Sequence, residues 1–174
     1  TYNPAGTEKP GEPYNNQTDN YTQTHYQLFF DHAISNNLKL NIASFLVRGF
    51  GYYEEYKAAQ NFSDYNLPDF ILNEDTITST DLIRQLWLDN YFYGNSFALQ
   101  YNKGKSEITL GGNWSSYDGK HDGKLIWGQY GVPNDYTYYF YPAFKKDMNV
   151  YAKWLYNIDN RFSLFTDLQY RFVK

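Results

Sequence analysis

The sequence predicts an all-β fold, in which about six long strands follow one another in an antiparallel up-and-down meander. One observation is composition: Phe, Trp and Tyr make up 21% of the 174 residues, yet the mean hydropathy is only −0.71. A chain that is both aromatic and polar suits strands with two different faces better than it suits helical packing. The other observation is that apolar and polar residues alternate in six stretches, which is the period of a half-buried strand.

The alternation begins only after a segment with loop composition. Residues 1–20 predict a loop, because they hold three of the six prolines and no periodic pattern. Residues 21–174 predict the six-stranded segment. Its first hairpin has a turn at 35–37, and the apolar positions on its two strands are Tyr26, Leu28, Phe30, Leu38, Leu40 and Ile42.

Two further hairpins repeat this pattern. The second has a turn at 102–105 and carries Tyr91, Tyr93, Phe97, Leu99, Tyr101, Ile108, Leu110 and Trp114 on its apolar face. The third has a turn at 158–160, and its apolar face carries Met148, Val150, Ala152, Trp154, Tyr156, Leu164, Leu168, Tyr170 and Phe172. On the last strand, Ser163, Asp167, Gln169 and Arg171 are predicted to point to the opposite face.

The connections between the hairpins are predicted to be long loops, at 57–81 and 117–136. Short turns that alternate with long loops describe an up-and-down membrane barrel more closely than a sandwich. The predicted strands exceed the roughly 9–11 residues that cross the hydrocarbon of a bilayer. Tyr101, Tyr156 and Phe162 lie beside the short turns, where an interfacial aromatic girdle would lie. The fold prediction is therefore a partial outer-membrane β-barrel.

Several classes of function find no support. The chain has no Cys for a thiolate site, and its net charge of −4, with interspersed signs, argues against a nucleic-acid partner. The three histidines show no metal-binding spacing, and there is no nucleophile elbow or complete dinucleotide loop. Glu54 and Glu55 are neighbours, so on a strand they point to opposite faces and cannot act as an acid/base pair. We predict no enzyme activity, no cofactor and no metal site.

The candidates for ligand binding are aromatic residues in or beside the long loops: Tyr53, Tyr65, Trp127, Tyr130 and Tyr136. Aromatic rings bind sugars, porphyrins and catecholate-type rings by stacking and apolar contact. The same rings would also serve to pack the loops on one another. The sequence leaves both interpretations open.

Five segments in order along the chain resemble one protein family. They are residues 14–23, 48–57, 87–94, 146–153 and 167–171, with the sequences YNNQTDNYTQ, RGFGYYEEYK, WLDNYFYG, KDMNVYAK and DLQYR. These segments resemble strands of the TonB-dependent outer-membrane receptors of Bacteroidetes-type bacteria. The resemblance implies a 22-stranded barrel that is closed by a separate N-terminal plug domain and energised through TonB.

The resemblance also implies partners and a location. We expect the chain to be an internal segment of such a barrel in the cell outer membrane. Its partners would be outer-membrane lipid, the rest of the receptor barrel and its plug domain, TonB through the plug region, and a small extracellular ligand. The receptor would take up a scarce ligand such as an iron complex, a cofactor or a glycan.

A second hypothesis comes from a different class of protein. A soluble, secreted carbohydrate-binding β-sandwich would also use aromatic rings as a binding platform. A sandwich buries its apolar face against a second sheet, and its strands are usually shorter. The exposure of the apolar face therefore discriminates between the two hypotheses.

Overall fold

The computed structural model describes residues 16–174, so most of the predicted loop 1–20 lies outside the described residues. Its eight strands are β1 (Asp19–Ser35), β2 (Leu38–Asn61), β3 (Phe70–Leu72), β4 (Asp75–Ile77), β5 (Ser79–Lys103), β6 (Ser106–Gly128), β7 (Tyr136–Asn157) and β8 (Ser163–Val173). A 3-10 helix, Phe62–Tyr65, follows β2. No α-helix occurs in residues 16–174, and the all-β prediction is confirmed.

The six long strands form one antiparallel sheet in the order β1-β2-β5-β6-β7-β8, so each pairs with its neighbour along the meander. The predicted meander is confirmed. Within residues 16–174 the sheet is not closed into a barrel, and β1 and β8 are its two edge strands. β3 and β4 form a separate two-stranded sheet.

The chain divides into two compact units. The first unit comprises the residues up to Gln23 together with Gly49–Asn90 and Gly119–Ala143. The second unit comprises Thr24–Arg48, Tyr91–Asp118 and Phe144–Lys174. The three short turns belong to the second unit, and the connections from β2 to β5 and from β6 to β7 belong to the first.

The strands extend further into the predicted long loops than their sequence pattern indicates. β2 continues to Asn61 and β5 begins at Ser79, so the connection is shorter than 57–81. β6 continues to Gly128, which makes more than half of the predicted loop 117–136 a strand. Apolar and polar residues do not alternate there, and period-two analysis detects a strand only where its two faces differ.

The connection between β2 and β5 has structure of its own. It contains the 3-10 helix and the β3–β4 hairpin, whose two-residue turn is formed by Asn73 and Glu74. Both turn residues have positive φ angles, 50° and 73°, as a type I′ turn requires. Glu is an unusual residue for this conformation, so the sequence gave little indication of the hairpin.

The first unit has a buried core. Tyr65, Leu82 and Leu125 are at most 2% exposed, and Leu67, Val132, Tyr136 and Tyr138 pack against them. The core joins residues from both connections to the strands that flank them. These connections are therefore packed structures rather than solvated loops.

The second unit has the opposite character, because most of its large apolar side chains are exposed. Leu28 is 70% exposed, Leu168 68% and Tyr170 65%. The register of β7 and β8 places Met148, Val150 and Ala152 opposite Phe172, Tyr170 and Leu168, while Asn149 and Tyr151 lie opposite Arg171 and Gln169. The predicted division of the last strand into an apolar and a polar face agrees with this register.

Aromatic rings lie directly over glycines at several places in the sheet. In the first unit, Tyr21 on β1 donates a hydrogen bond from its hydroxyl to Asn90 Oδ1 on β5, at 2.9 Å. Gly49 on the intervening strand β2 lies beneath this bond, and a Cβ there would overlap the Tyr21 hydroxyl and lie 2.5 Å from Asn90 Oδ1. Gly111 has the same relation to the ring of Tyr151, and Gly123 to that of Tyr138. Only glycine leaves room for these rings.

We expect Gly49→Ala to lower the free energy of unfolding by about 1–3 kcal/mol, because the methyl group displaces the Tyr21 ring and breaks its hydrogen bond. Urea unfolding of the chain in detergent, followed by circular dichroism, measures the change. In a Tyr21→Phe background the same substitution should cost less, since the closest overlap is with the hydroxyl. An equal cost in both backgrounds would contradict this packing.

Candidate ligand-binding site

Two of the five aromatic candidates lie within the core of the first unit. Tyr65 is 2% exposed; its hydroxyl donates to Gln60 Oε1 at 3.0 Å and accepts a hydrogen bond from Arg84 at 3.2 Å. Tyr136 is half-buried against the core, and its hydroxyl donates to the backbone oxygen of Asn66 at 3.2 Å. In this arrangement both rings pack the connections together.

Tyr53 is also half-buried, on β2. Burial, followed by the charge of Glu55, raises the pKa of its phenol. Burial likewise raises the pKa of Tyr65 and that of Tyr138, whose ring meets Tyr65 edge-on with centroids 4.8 Å apart. These phenols are therefore neutral hydrogen-bonding groups at physiological pH.

Trp127 and Tyr130 are the two exposed candidates, with 46% and 37% of their surface accessible. The ring of Tyr130 stacks on Phe70 of β3, with centroids 6.4 Å apart and an angle of 22° between planes. Gly131 follows with a φ of +59°, and a Cβ there would lie 2.9 Å from Phe70 Cβ. The turn after Tyr130 thus depends on glycine both for its conformation and for its contact with Phe70.

Backbone hydrogen bonds hold this connection against the start of β5. The N–H of Tyr130 donates to Thr80 Oγ1 at 3.0 Å, and the N–H of Gln129 donates to the backbone oxygen of Asp81 at 2.9 Å. Asp81 also holds the end of β2, since its carboxylate accepts hydrogen bonds from the Tyr56 hydroxyl and, at 2.9 Å, from the Ala59 N–H. The exposed ring of Tyr130 therefore stands on a fixed backbone.

Two buried carboxylates stabilise the strands beneath the connections. Glu55 forms an ion pair with Arg84, with distances of 2.5 Å to Nη2 and 2.6 Å to Nε. Glu54 instead accepts hydrogen bonds from Gln85 Nε2 and Asn16 Nδ2, each at 2.7 Å. The two neighbours have separate sets of partners, as expected for side chains on opposite faces of a strand. Their buried, paired arrangement serves structure rather than proton transfer.

The polar face of the second unit forms a cavity of about 430 Å³ that the sequence analysis did not identify. Its wall includes carboxamides and charged groups from β1, β2, β6, β7 and β8, among them Asp31, Asn41, Asn113, Asn149, Lys153 and Gln169. Small residues, including Ala43 and Ser96, lie between them. These residues belong to the polar face of alternating strands, so the pattern contained the information, but their convergence depends on the sheet.

Two further searches concern residues 16–174. No group of three or more His, Asp or Glu side chains in this range is arranged to hold a metal ion. None of its helices has the length and apolar character needed to cross a membrane.

Comparison with known proteins gives no assignment: no protein-family model matches the chain, and no curated protein matches it.

The Tyr56–Asp81 hydrogen bond gives a prediction for alkaline pH. This bond, and then burial, raises the pKa of Tyr56 from 10.0 to about 12. A folded-state pKa above the unfolded value means that the stabilisation is complete below pH 10 and is lost as the pH rises through about 12. Phenolate absorbance should show that Asp81→Asn lowers the pKa of this tyrosine, with Tyr56→Phe identifying its contribution. Asp69→Asn, an exposed aspartate in the same connection, should leave the titration unchanged.

Proposed function

We propose that the chain is a segment of an outer-membrane, TonB-dependent receptor barrel that takes up a scarce extracellular ligand. In this proposal the apolar face of the second unit meets outer-membrane lipid, and its polar face lines the interior of the barrel. The exposed rings of the first unit belong to the surface that meets the ligand. The plug domain, the other strands and TonB are supplied by the rest of the receptor.

The observation that carries the proposal is the exposed apolar face of the second unit on strands of unusual length. β5 has 25 residues and β2 has 24, against a usual length of about 5–6. Large apolar side chains along this face are 36–70% exposed, which is unfavourable in water over so large a patch. Lipid removes that cost, because it solvates apolar side chains while the strands satisfy one another's backbone groups.

The opposite face of the second unit supports the same proposal. There Arg171 Nε donates to Asp147 Oδ1 at 3.0 Å, and Asn41 donates to Asp31. Together with the polar cavity, these pairs form a surface suited to water or to a polar partner. A sheet with one lipid-compatible face and one polar face matches the wall of a transmembrane barrel.

The first unit supports a role in ligand contact. Trp127 and Tyr130 are exposed on a backbone that is hydrogen-bonded to β5, so their rings are available without rearrangement. Their position along the chain, between β6 and β7, corresponds to a connection rather than a short turn. The classes of ligand that suit them are iron complexes with aromatic groups, ring cofactors and glycans.

The alternative hypothesis, a secreted carbohydrate-binding β-sandwich, requires a second sheet over the apolar face. In residues 16–174 the only other sheet is the hairpin of β3 and β4, each three residues long, and it belongs to the first unit. Leu28, Leu168 and Tyr170 are exposed in the second unit. Exposure of this face favours the receptor segment.

A charge placed on each face of β8 tests the proposed lipid contact. In the receptor that contains this chain, Leu168→Arg should destabilise the barrel by about 2–4 kcal/mol if the residue lies near the bilayer midplane. Gln169→Arg, on the adjacent residue and the other face, should cost much less. The amount of folded receptor in outer-membrane fractions and its resistance to urea report the difference. Equal costs at the two positions would contradict the assignment of faces.

A double substitution tests the proposed role of the exposed rings. Trp127→Ala with Tyr130→Ala should weaken ligand binding about tenfold, because each stacking contact contributes about 0.5–1.5 kcal/mol. Binding to intact cells and the level of receptor in the membrane are measured together. Tyr136→Phe is the control, since it retains a ring that packs in the core. Unchanged binding at a normal receptor level would exclude these two rings from the ligand site.

A further inference from the structure

The outer edge of β8 carries backbone groups that no strand within residues 16–174 pairs with. All eleven residues of β8 are exposed, and the strand is paired on one side only, with β7. The strand contains no proline or glycine. A long edge of this kind is a template for another strand.

The hydrogen bonds between β7 and β8 show which backbone groups face that edge. Lys146 and Lys174 exchange both of their backbone hydrogen bonds, each at 2.9 Å. In an antiparallel ladder such pairs alternate with pairs that exchange none, so the even-numbered residues of β8 bond to β7. The N–H and C=O groups of Phe165, Asp167, Gln169 and Arg171 therefore point to the outer edge.

The charges on these residues make the edge complementary to itself. Asp167 and Arg171 are four residues apart on the same face, with Gln169 midway between them. When two copies of β8 run antiparallel with Gln169 opposite Gln169, each Asp167 lies opposite the Arg171 of the other copy. Opposite charges that face each other across a strand pair are favourable.

We propose that β8 pairs along its outer edge with β8 of a second copy of this chain, in this two-fold antiparallel register. The edge groups of both copies then pair with each other, and the polar and apolar faces continue across the junction. On the apolar face Leu168 lies opposite Tyr170, and Thr166 opposite Phe172. Arg171 retains its contact with Asp147 of its own chain, since a guanidinium has enough donors for two carboxylates.

The charges also favour this register over its neighbours. Sliding one strand by two residues places Asp167 opposite Gln169 in one direction and opposite Val173 in the other, so both salt bridges are lost. Sliding by one residue would bring polar side chains opposite apolar ones. A two-fold pair is closed, so it ends at the dimer. This inference does not depend on the proposed function; in a longer barrel a following strand would compete for the same edge.

Cysteine cross-linking tests the register directly, because the chain has no cysteine of its own. The chain carrying Gln169→Cys, purified in detergent micelles and mildly oxidised, should form a disulfide-linked dimer. Directly opposed residues in a hydrogen-bonded pair have Cα atoms about 5.5 Å apart, which a disulfide spans. Phe165→Cys is the matched control on the same face and edge, and it should not link, since its counterpart lies opposite Val173.

A charge reversal tests the role of the ion pairs. Adding Asp167→Arg to Gln169→Cys places like charges opposite each other twice, and it should lower the yield of the linked dimer on the order of tenfold. Sedimentation of the unmodified chain in the same micelles should show a dimer that Asp167→Arg dissociates. Equal linking through positions 165 and 169, no linking at 169, or a yield that the reversal does not change would each overturn the proposal.

Discussion

The backbone ladder of six long antiparallel strands is the constraint on which the rest of the structure depends. A strand satisfies its N–H and C=O groups only through its neighbours, and the pleat sends successive side chains to opposite faces. Over the 25 residues of β5 this alternation creates two continuous surfaces from a single sequence pattern. The chain must then supply an environment for each surface. The two units do this differently, with a packed core in the first and exposed apolar side chains in the second.

The first unit shows how connections become rigid without a large apolar core. Its core has three fully buried apolar residues, Tyr65, Leu82 and Leu125. Around it lie buried polar groups with defined partners, notably the Glu55–Arg84 ion pair and the two amides that bind Glu54. A buried ion pair adds little net stability, but removing one partner leaves an uncompensated charge. The network therefore fixes which conformation the connections adopt more than how stable they are.

The sequence predicted the sheet well where its two faces differ in polarity. The three hairpins, their short turns and the faces of the last strand all rest on such alternation, and the register of β7 with β8 agrees with it. The ends of β2 and β6 escaped prediction because both faces there are polar or aromatic, as at His121 and Lys124. The turn at Asn73 and Glu74 escaped because it contains a residue that seldom adopts a positive φ angle. Among the aromatic candidates, the burial of Tyr65 depends on Arg84 and Tyr138, which are distant in sequence, so no local pattern distinguished it from the exposed Trp127.

The rings that lie over glycines tie together positions that are far apart in the chain. Tyr21 lies over Gly49, Tyr151 over Gly111 and Tyr138 over Gly123, and in each case the glycine lies on a different strand from the ring. A side chain at the glycine position becomes acceptable only once the ring has been replaced by something smaller. During evolution these sites would therefore exchange residues in pairs rather than singly. In an alignment of related sequences, such coupled changes would record which strands are neighbours, even where hydrophobic alternation is too weak to reveal them.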